Sequence, residues 1–411
     1  MESTRSDSHL DRYAARAQGM VASEIRALFA VASRPEVVSL AGGMPYVSAL
    51  PLDAVGAMVG HLIATRGAEA LQYGSAQGDP ELREHICDVM ALEGITASPD
   101  DVVVTVGSQQ ALDLLTRIFV DPGDVVLAEA PSYVGALGTF AAYQADVVHV
   151  AMDADGLIPA ALRETLVRLK GRRVKFLYTV PTFHNPAGVT LSASRRQEIL
   201  DICAEFDLLI IEDNPYGLLN FDGPLARPMR ADEAERVIYL GSFSKTFASG
   251  LRVGWALAPH AVRAKLVLAA ESAILSPSNF SQLAVREFLA AHPWKDQVKS
   301  FSALYRERRD AMLSALDEYM PEGCTWTKPG GGFFVWMTLP EGLDSKTMAP
   351  LAIANRVAYV PGTGFYANGD GRRELRISYC YPSPERIQEG VRRLSVVIEG
   401  EMALRDTFNG S

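Results

Sequence analysis

Basic residues are in short supply. The 411-residue chain carries 39 lysines and arginines against 49 aspartates and glutamates, a formal net charge of −10, and no basic run offsets that balance. A nucleic-acid surface needs a basic face to neutralise phosphates, so none is expected. Cysteine is scarce too. Cys87, Cys203, Cys324 and Cys380 lie far apart with no C-x-x-C pair, which argues against a zinc knuckle or a disulfide framework and for reduced, mostly buried thiols. The seven histidines show no ligand spacing, so no metal is expected. No apolar run approaches the ~20 residues of a membrane span. The opening "MESTRSDSHLDRYAARAQ" lacks the apolar core of a signal peptide, and the expected location is the cytoplasm. Repeats and low-complexity tracts are missing as well.

What is present is an ordinary globular composition, 48% hydrophobic and 21% charged, in a chain long enough for two or three domains. From about Asp100 short β-rich runs alternate with helical segments: "DVVVTV", "SQQALDLLTRIFV", "VVLAEA" and "DVVHV", then "VKFLYTV", "DLLIIED", "RVIYLGSF" and "VGWALAP". Those among them that are uniformly apolar are expected to be buried on both faces, as in a mostly parallel α/β sheet covered by helices. Asp79-Pro80 reads as an N-cap and first-turn proline before "ELREHICDVMALEG". There Leu82, Ile86, Val89 and Met90 form the buried stripe and Gly94 the stop. Beyond about Phe280 long helical patterns precede "PGGGFFVWMTLP", "RVAYVPG" and "ELRISYC", which suggests a smaller α+β domain. The expected division is an N-terminal segment over 1–50 packing with the small domain, a large domain over 51–275 and the small C-terminal domain over 276–411.

Ligands of an open parallel sheet sit at the carboxyl ends of its strands, and the polar residues gather there. "FLYTVPTFHNPAG" leaves one strand with Asn185, "LLIIEDNPYG" another with Asp213 and Tyr216, and "VIYLGSFSK" a third with Ser242, Ser244 and Lys245. Arg252 follows in "GSFSKTFASGLRVGW". After "DVVVTV", Gly107 turns the chain and Ser108 and Gln109 open a helix whose free N–H groups favour an anion. Together these residues ask for a phosphate, a phenolic oxygen, a protonated ring nitrogen and an aldehyde, and pyridoxal 5′-phosphate has all four. Lys245 would hold it through a Schiff base, and Asp213 would keep the ring nitrogen protonated. Asn185 and Tyr216 would bond the phenolic oxygen, and Tyr133 in "EAPSYVG" would stack on the ring. Ser108, Ser242, Ser244 and Arg252 would hold the phosphate, with Gln109 beside them.

Competing readings of the same stretch fare worse. The S-x-x-K spacing of Ser242 and Lys245 fits serine acyl transfer, but that chemistry needs a K-T-G strand and "SKTMAP" has Met348 in place of the glycine. A Walker loop needs glycine immediately before the lysine, where Ser244 stands.

The motifs "SLAGGMP", "LQYGSAQGDPELRE", "GSQQALDL", "PTFHNPAG", "EDNPYG", "SFSKTFASGLRVGW", "KPGGGFFVWMTLP" and "LRISY", in that order, resemble the class I/II, fold type I pyridoxal-phosphate aminotransferases. Within that group they resemble the 2-aminoadipate and kynurenine aminotransferase branch. The likeness runs from about "SEIRALF" to "EGVRRL". It implies a large domain built on a mostly parallel seven-stranded sheet and a smaller α+β domain. It also implies a homodimer with shared active sites and transfer of an amino group from an L-amino acid to a 2-oxo acid, 2-oxoglutarate being the expected acceptor. By the same likeness Lys245 shuttles the proton and Arg376 anchors the substrate α-carboxylate, with Gly43 beside it. Tyr73 reaches a phosphate from a partner subunit. Ala187 departs from the family's usual Thr or Ser after Asn-Pro, which touches packing more than chemistry.

Some alternatives stay open. Arg26 in "SEIRALFAVAS" fits either a solvated helix face or a group that greets an acidic substrate side chain. The same pocket would serve a β-lyase, decarboxylase or oxidase, since the cofactor carries the chemistry. A non-enzymatic regulator that senses the cofactor is disfavoured, because the roughly 20 residues before "SEIRALF" are too few for a winged helix-turn-helix.

Overall fold

A computed structural model describes residues 9–18 and 34–409. After a helical turn at Ala15–Gln18 and a short strand β1 (Val38–Ser39), two helices follow, α1 (Leu52–Ala70) and α2 (Pro80–Ala91). Helix α2 forms as its sequence dictates. Asp79 accepts a hydrogen bond from the Leu82 N–H at 2.9 Å, Pro80 occupies the first turn, and Leu82, Ile86, Val89 and Met90 are buried. Gly94 stops the segment at φ +85°.

The chain then builds one large sheet from β2 (Val102–Val106), β3 (Val125–Ala130), β4 (Asp146–Asp153), β5 (Gly156–Leu157), β6 (Val174–Thr179), β7 (Leu209–Asp213), β8 (Val237–Ser242) and β9 (Val253–Leu257). Their spatial order is β2-β9-β8-β7-β6-β3-β4-β5. The central strands pair in parallel, whereas β9 runs antiparallel to both β2 and β8, and the two-residue β5 hairpins onto β4. Two-residue β5 is thus an eighth member at the edge of the expected seven.

Helices cover both faces, which is why β2 and β8 could be apolar nearly throughout. On one face α3 (Gly107–Phe119), α4 (Val134–Ala142) and α7 (His260–Ile274) close over Val103, Phe176, Ile238 and Ala256. On the other, α5 (Pro159–Arg168) and α6 (Ala193–Glu205) close over Val125, Leu177, Ile210 and Val237.

The remaining chain contributes α8 (Asn279–Ala291), α9 (Trp294–Tyr319), α10 (Ser345–Ala354) and α11 (Pro384–Asn409), with strands β10 (Thr325–Trp326), β11 (Phe334–Thr338), β12 (Val357–Ala358), β13 (Val360–Pro361) and β14 (Glu374–Ser378). A four-stranded antiparallel sheet, β10-β11-β14-β13, forms the smaller layer, and β1 pairs in parallel with β12. Strand β14 thereby brings Arg376 opposite Trp336 of β11, and the Asn185 side chain of the large layer hydrogen-bonds it.

No helix among the described residues is long and apolar enough to cross a membrane.

Candidate active site

The carboxyl ends of β2, β6, β7 and β8 open into one cavity of about 280 Å³. At its floor is an anion cradle. Helix α3 starts directly after β2, so the N–H groups around Ser108 and Gln109 have no partner inside the helix. Gly107 is required there. Its φ is +73°, and a Cβ at that position would sit 2.4 Å from Arg252 Nη2. Ser242 Oγ donates to Ser244 Oγ at 2.9 Å, and Arg252 Nη1 donates to the same Ser244 oxygen at 3.2 Å. Two hydroxyls, a guanidinium and a helix N-terminus thus converge. The Gln109 side chain turns the other way, donating to Gly135 O at 3.1 Å and Thr139 Oγ1 at 2.8 Å, which ties α3 to α4.

Lys245 and Asp213 face the same cavity. Lys245 Nζ donates to Gly43 O at 2.8 Å. Burial, with Arg376 and Arg252 nearby, pushes its ammonium down to about 8, partly opposed by the Cys380 thiol. Asp213 is 5% exposed. Its Oδ2 accepts a hydrogen bond from Tyr178 Oη at 2.9 Å, and its Oδ1 is buried without a partner. Burial raises this carboxyl to about 6, against the opposing pull of the Tyr178 hydrogen bond. Tyr216 is held edge-on by Phe333 and Phe334, with ring centroids 5.4 and 6.0 Å away.

Arg376 is 2% exposed yet carries a guanidinium. Nη1 donates to Asn185 Oδ1 and Nη2 to Ala41 O, both at 2.8 Å, while Nε has no partner. The plane lies between two rings, 4.1 Å from the centroid of Phe334 and 5.2 Å from that of Phe365. Burial brings its pKa down to about 10, which leaves it charged at neutral pH.

A buried pair supports Asn185 from behind. The Ala187 N–H donates to His184 Nδ1 at 3.1 Å, which leaves the proton on Nε2. That nitrogen stands 3.0 Å from Glu129 Oε2, an electrostatic contact whose alignment falls short of a hydrogen bond. Glu129 also accepts from Thr179 Oγ1 at 2.7 Å and from the Val180 N–H at 2.9 Å.

Of the residues picked from sequence, Gly43, Ser108, Gln109, Tyr133, Asn185 and Asp213 line this one cavity. So do Tyr216, Ser242, Ser244, Lys245, Arg252 and Arg376. Tyr73 does not. It is 78% exposed on the loop after α1, outside the cavity of its own chain. Arg26 lies outside the described residues. Residues not singled out beforehand are Met44, Val180, Pro215, Ser249 and Phe334 on the wall, and Tyr178 and Phe365 behind it. Tyr178 carried one signal: a tyrosine in the buried half of a strand needs a partner for its hydroxyl.

The donor set fits pyridoxal phosphate. An orphaned buried oxygen of Asp213 suits a ring N–H, the serine-arginine cradle suits a phosphate, and the lowered amine of Lys245 suits an aldehyde.

Comparison with known proteins agrees. Residues 37–394 match the family model of aminotransferase class I and II. Aromatic-amino-acid aminotransferase 1 of Thermococcus litoralis is 43% identical over 95% of this chain and 94% of its own. The structure of Pyrococcus horikoshii kynurenine aminotransferase, solved with PMP and kynurenine, superposes with a TM-score of 0.92 at 40% identity, covering 96% of this chain and 98% of that one. The α-aminoadipate aminotransferase of Thermus thermophilus, complexed with N-(5′-phosphopyridoxyl)-L-leucine, has a TM-score of 0.89 at 37% identity, covering 96% and 99%.

Proposed function

The chain belongs to the aminotransferases of class I and II, and from that premise we propose that Lys245 is the amine that holds the cofactor and moves the substrate proton. The reaction is transfer of an amino group from an amino acid to a 2-oxo acid, and the cofactor is pyridoxal 5′-phosphate. When bound, the cofactor supplies an aldehyde for an amine to condense with and a protonated ring that stores the electron pair freed at the substrate Cα.

Each remaining step belongs to the chain's own residues. Lys245 deprotonates readily because burial disfavours its ammonium, so at neutral pH it has an appreciable neutral fraction able to act as nucleophile and then as base at Cα. Asp213, with Oδ1 unpartnered, would accept the ring N–H. Asn185 and Tyr216 would hold the phenolic oxygen, and Tyr133 would cover the ring. Ser108, Ser242, Ser244 and Arg252, with the Gln109 N–H, would hold the phosphate. Arg376, fixed between Phe334 and Phe365, meets the α-carboxylate next to Gly43. Tyr73 completes the phosphate site of a partner in a homodimer, and 2-oxoglutarate is the acceptor. In this reading the described residues 34–50 accompany the small domain over 276–411, with the large domain over 51–275, and the enzyme works in the cytoplasm.

The observation that carries the reading is one cavity holding a depressed lysine and a carboxylate with one oxygen free. The test is a coupled assay of purified holoenzyme against a panel of amino donors with 2-oxoglutarate. Glutamate formation from at least one donor is expected, and Arg376→Ala should lower kcat/KM for every donor roughly 10- to 150-fold, the worth of a charge-assisted contact. A panel with no glutamate formed, but with carbon dioxide or an eliminated side chain, would overturn it.

A further inference from the structure

Among the described residues Asp213 is the only carboxylate facing the cavity. Among the described residues no cation pairs with it, and its one protein hydrogen bond comes from Tyr178 Oη at 2.9 Å. Around it stand three phenols, Tyr133, Tyr178 and Tyr216. Tyr178 is fully buried on β6, one strand over from Asp213 on β7, with Phe140 edge-on at 5.6 Å. Its hydroxyl is held well above its ordinary range by burial and by Asp213, so it remains a proton donor.

The two carboxylate oxygens are therefore unequal: Oδ2 is occupied by the phenol, and Oδ1 is left unpartnered. We propose that Tyr178 is a positioning residue for Asp213, whose hydroxyl fixes Oδ2 and weakens the carboxylate as a base, so that the proton shared by Oδ1 and the ring nitrogen stays on nitrogen. The inference rests on the cofactor assignment above. Its logic is a competition between two bases for one proton. A buried carboxylate with no cation beside it is a strong base, and a hydrogen bond donated to its anion makes it weaker. Without that bond the proton moves toward Oδ1. The pair then becomes neutral, and the ring loses the positive charge that stabilises the carbanion. No net proton is gained or lost.

The test uses holoenzyme loaded with ring-15N pyridoxal phosphate. In the wild type the ring nitrogen should resonate as a protonated pyridine. Tyr178→Phe, nearly isosteric, should shift it toward the unprotonated position, with borohydride trapping at Lys245 retained. In that variant kcat should fall about 10- to 100-fold and KM for the amino acid change less than about threefold, as for loss of a hydrogen bond to a charged group. Replacing Tyr178 by 3-fluorotyrosine, a stronger donor, should move the resonance the opposite way, and this arm decides alone if the Phe variant does not fold. An unchanged resonance in a folded Phe variant, or shifts in the same direction for both replacements, would overturn the proposal while leaving the role of Lys245 intact. Failure of trapping in the wild type would instead defeat the assignment of Lys245, and this inference with it.

Discussion

Lys245 Nζ donates a hydrogen bond to the carbonyl oxygen of Gly43 at 2.8 Å, across 202 positions of sequence. The contact joins the end of the large sheet to a segment that Arg376 holds at Ala41 O and the Cys380 thiol holds at Met44 O. The amine and the guanidinium thus rest on one stretch of backbone, and disturbing that stretch should be felt at both.

Gly43→Ala tests this. An added Cβ would lie 3.0 Å from Phe334 Cζ, and the Phe334 ring packs 4.1 Å from the Arg376 guanidinium. Displacing that ring should raise KM for all amino acids and 2-oxo acids about tenfold, as expected when a substrate-positioning group moves by a fraction of an ångström. Steady-state kinetics on several donors check it, and an unchanged KM would show that Phe334 yields without moving Arg376.

The depressed lysine makes a prediction in pH. Only the neutral amine captures an aldehyde, so covalent capture of pyridoxal phosphate by apoprotein should accelerate as pH rises through about 8, not through the ordinary 10.5. Stopped-flow absorbance against pH measures the inflection. A rate still climbing steeply past pH 9.5, with no plateau, would mean that Lys245 is better solvated than its surroundings imply.

Glu129→Ala should destabilise the protein. It would strand the Val180 N–H and the Thr179 hydroxyl, both in the buried core, and remove the carboxylate facing His184. Each unmade buried hydrogen bond costs about 1–3 kcal/mol, so a loss of roughly 2–6 kcal/mol is expected in urea denaturation. A loss below about 0.5 kcal/mol, the range of an ordinary surface substitution, would contradict it.

These predictions also mark what was legible in the sequence. Asp79-Pro80 announced its helix because capping is local chemistry. The placement of Lys245, Asp213 and Asn185 in one cavity was readable because each ends or shortly follows a strand of a parallel sheet, where polar groups have few reasons to sit except a ligand. The antiparallel run of β9 was not readable, since "VGWALAP" is as apolar as a parallel neighbour. Nor was the role of Tyr178 or of Phe365. The Tyr178 hydroxyl announced only that it needed some partner and Phe365 reads as packing; the pairing of β6 with β7 brings Tyr178 to Asp213, and the turn after β13, which pairs with β14, brings Phe365 to Arg376. Likewise Glu129 and His184 lie 55 positions apart, and no local pattern couples them.

Tyr73 bears on the assembly. It is 78% exposed in its own chain and lies outside the cavity, as a residue serving a partner's site would. Mixing Lys245→Ala with Tyr73→Ala subunits, each impaired alone, should restore part of the activity, because in the proposed dimer one site of each hybrid would have both residues. No recovery despite demonstrated subunit exchange would contradict a shared site.

The most direct measurement is to reduce the holoenzyme with borohydride, digest it and map the modified peptide by mass spectrometry. The account predicts one phosphopyridoxyl group on Lys245, absent when an amino donor is added before reduction and absent in Lys245→Ala. A phosphopyridoxyl group on another lysine of the wild-type enzyme, or none at all, would contradict it.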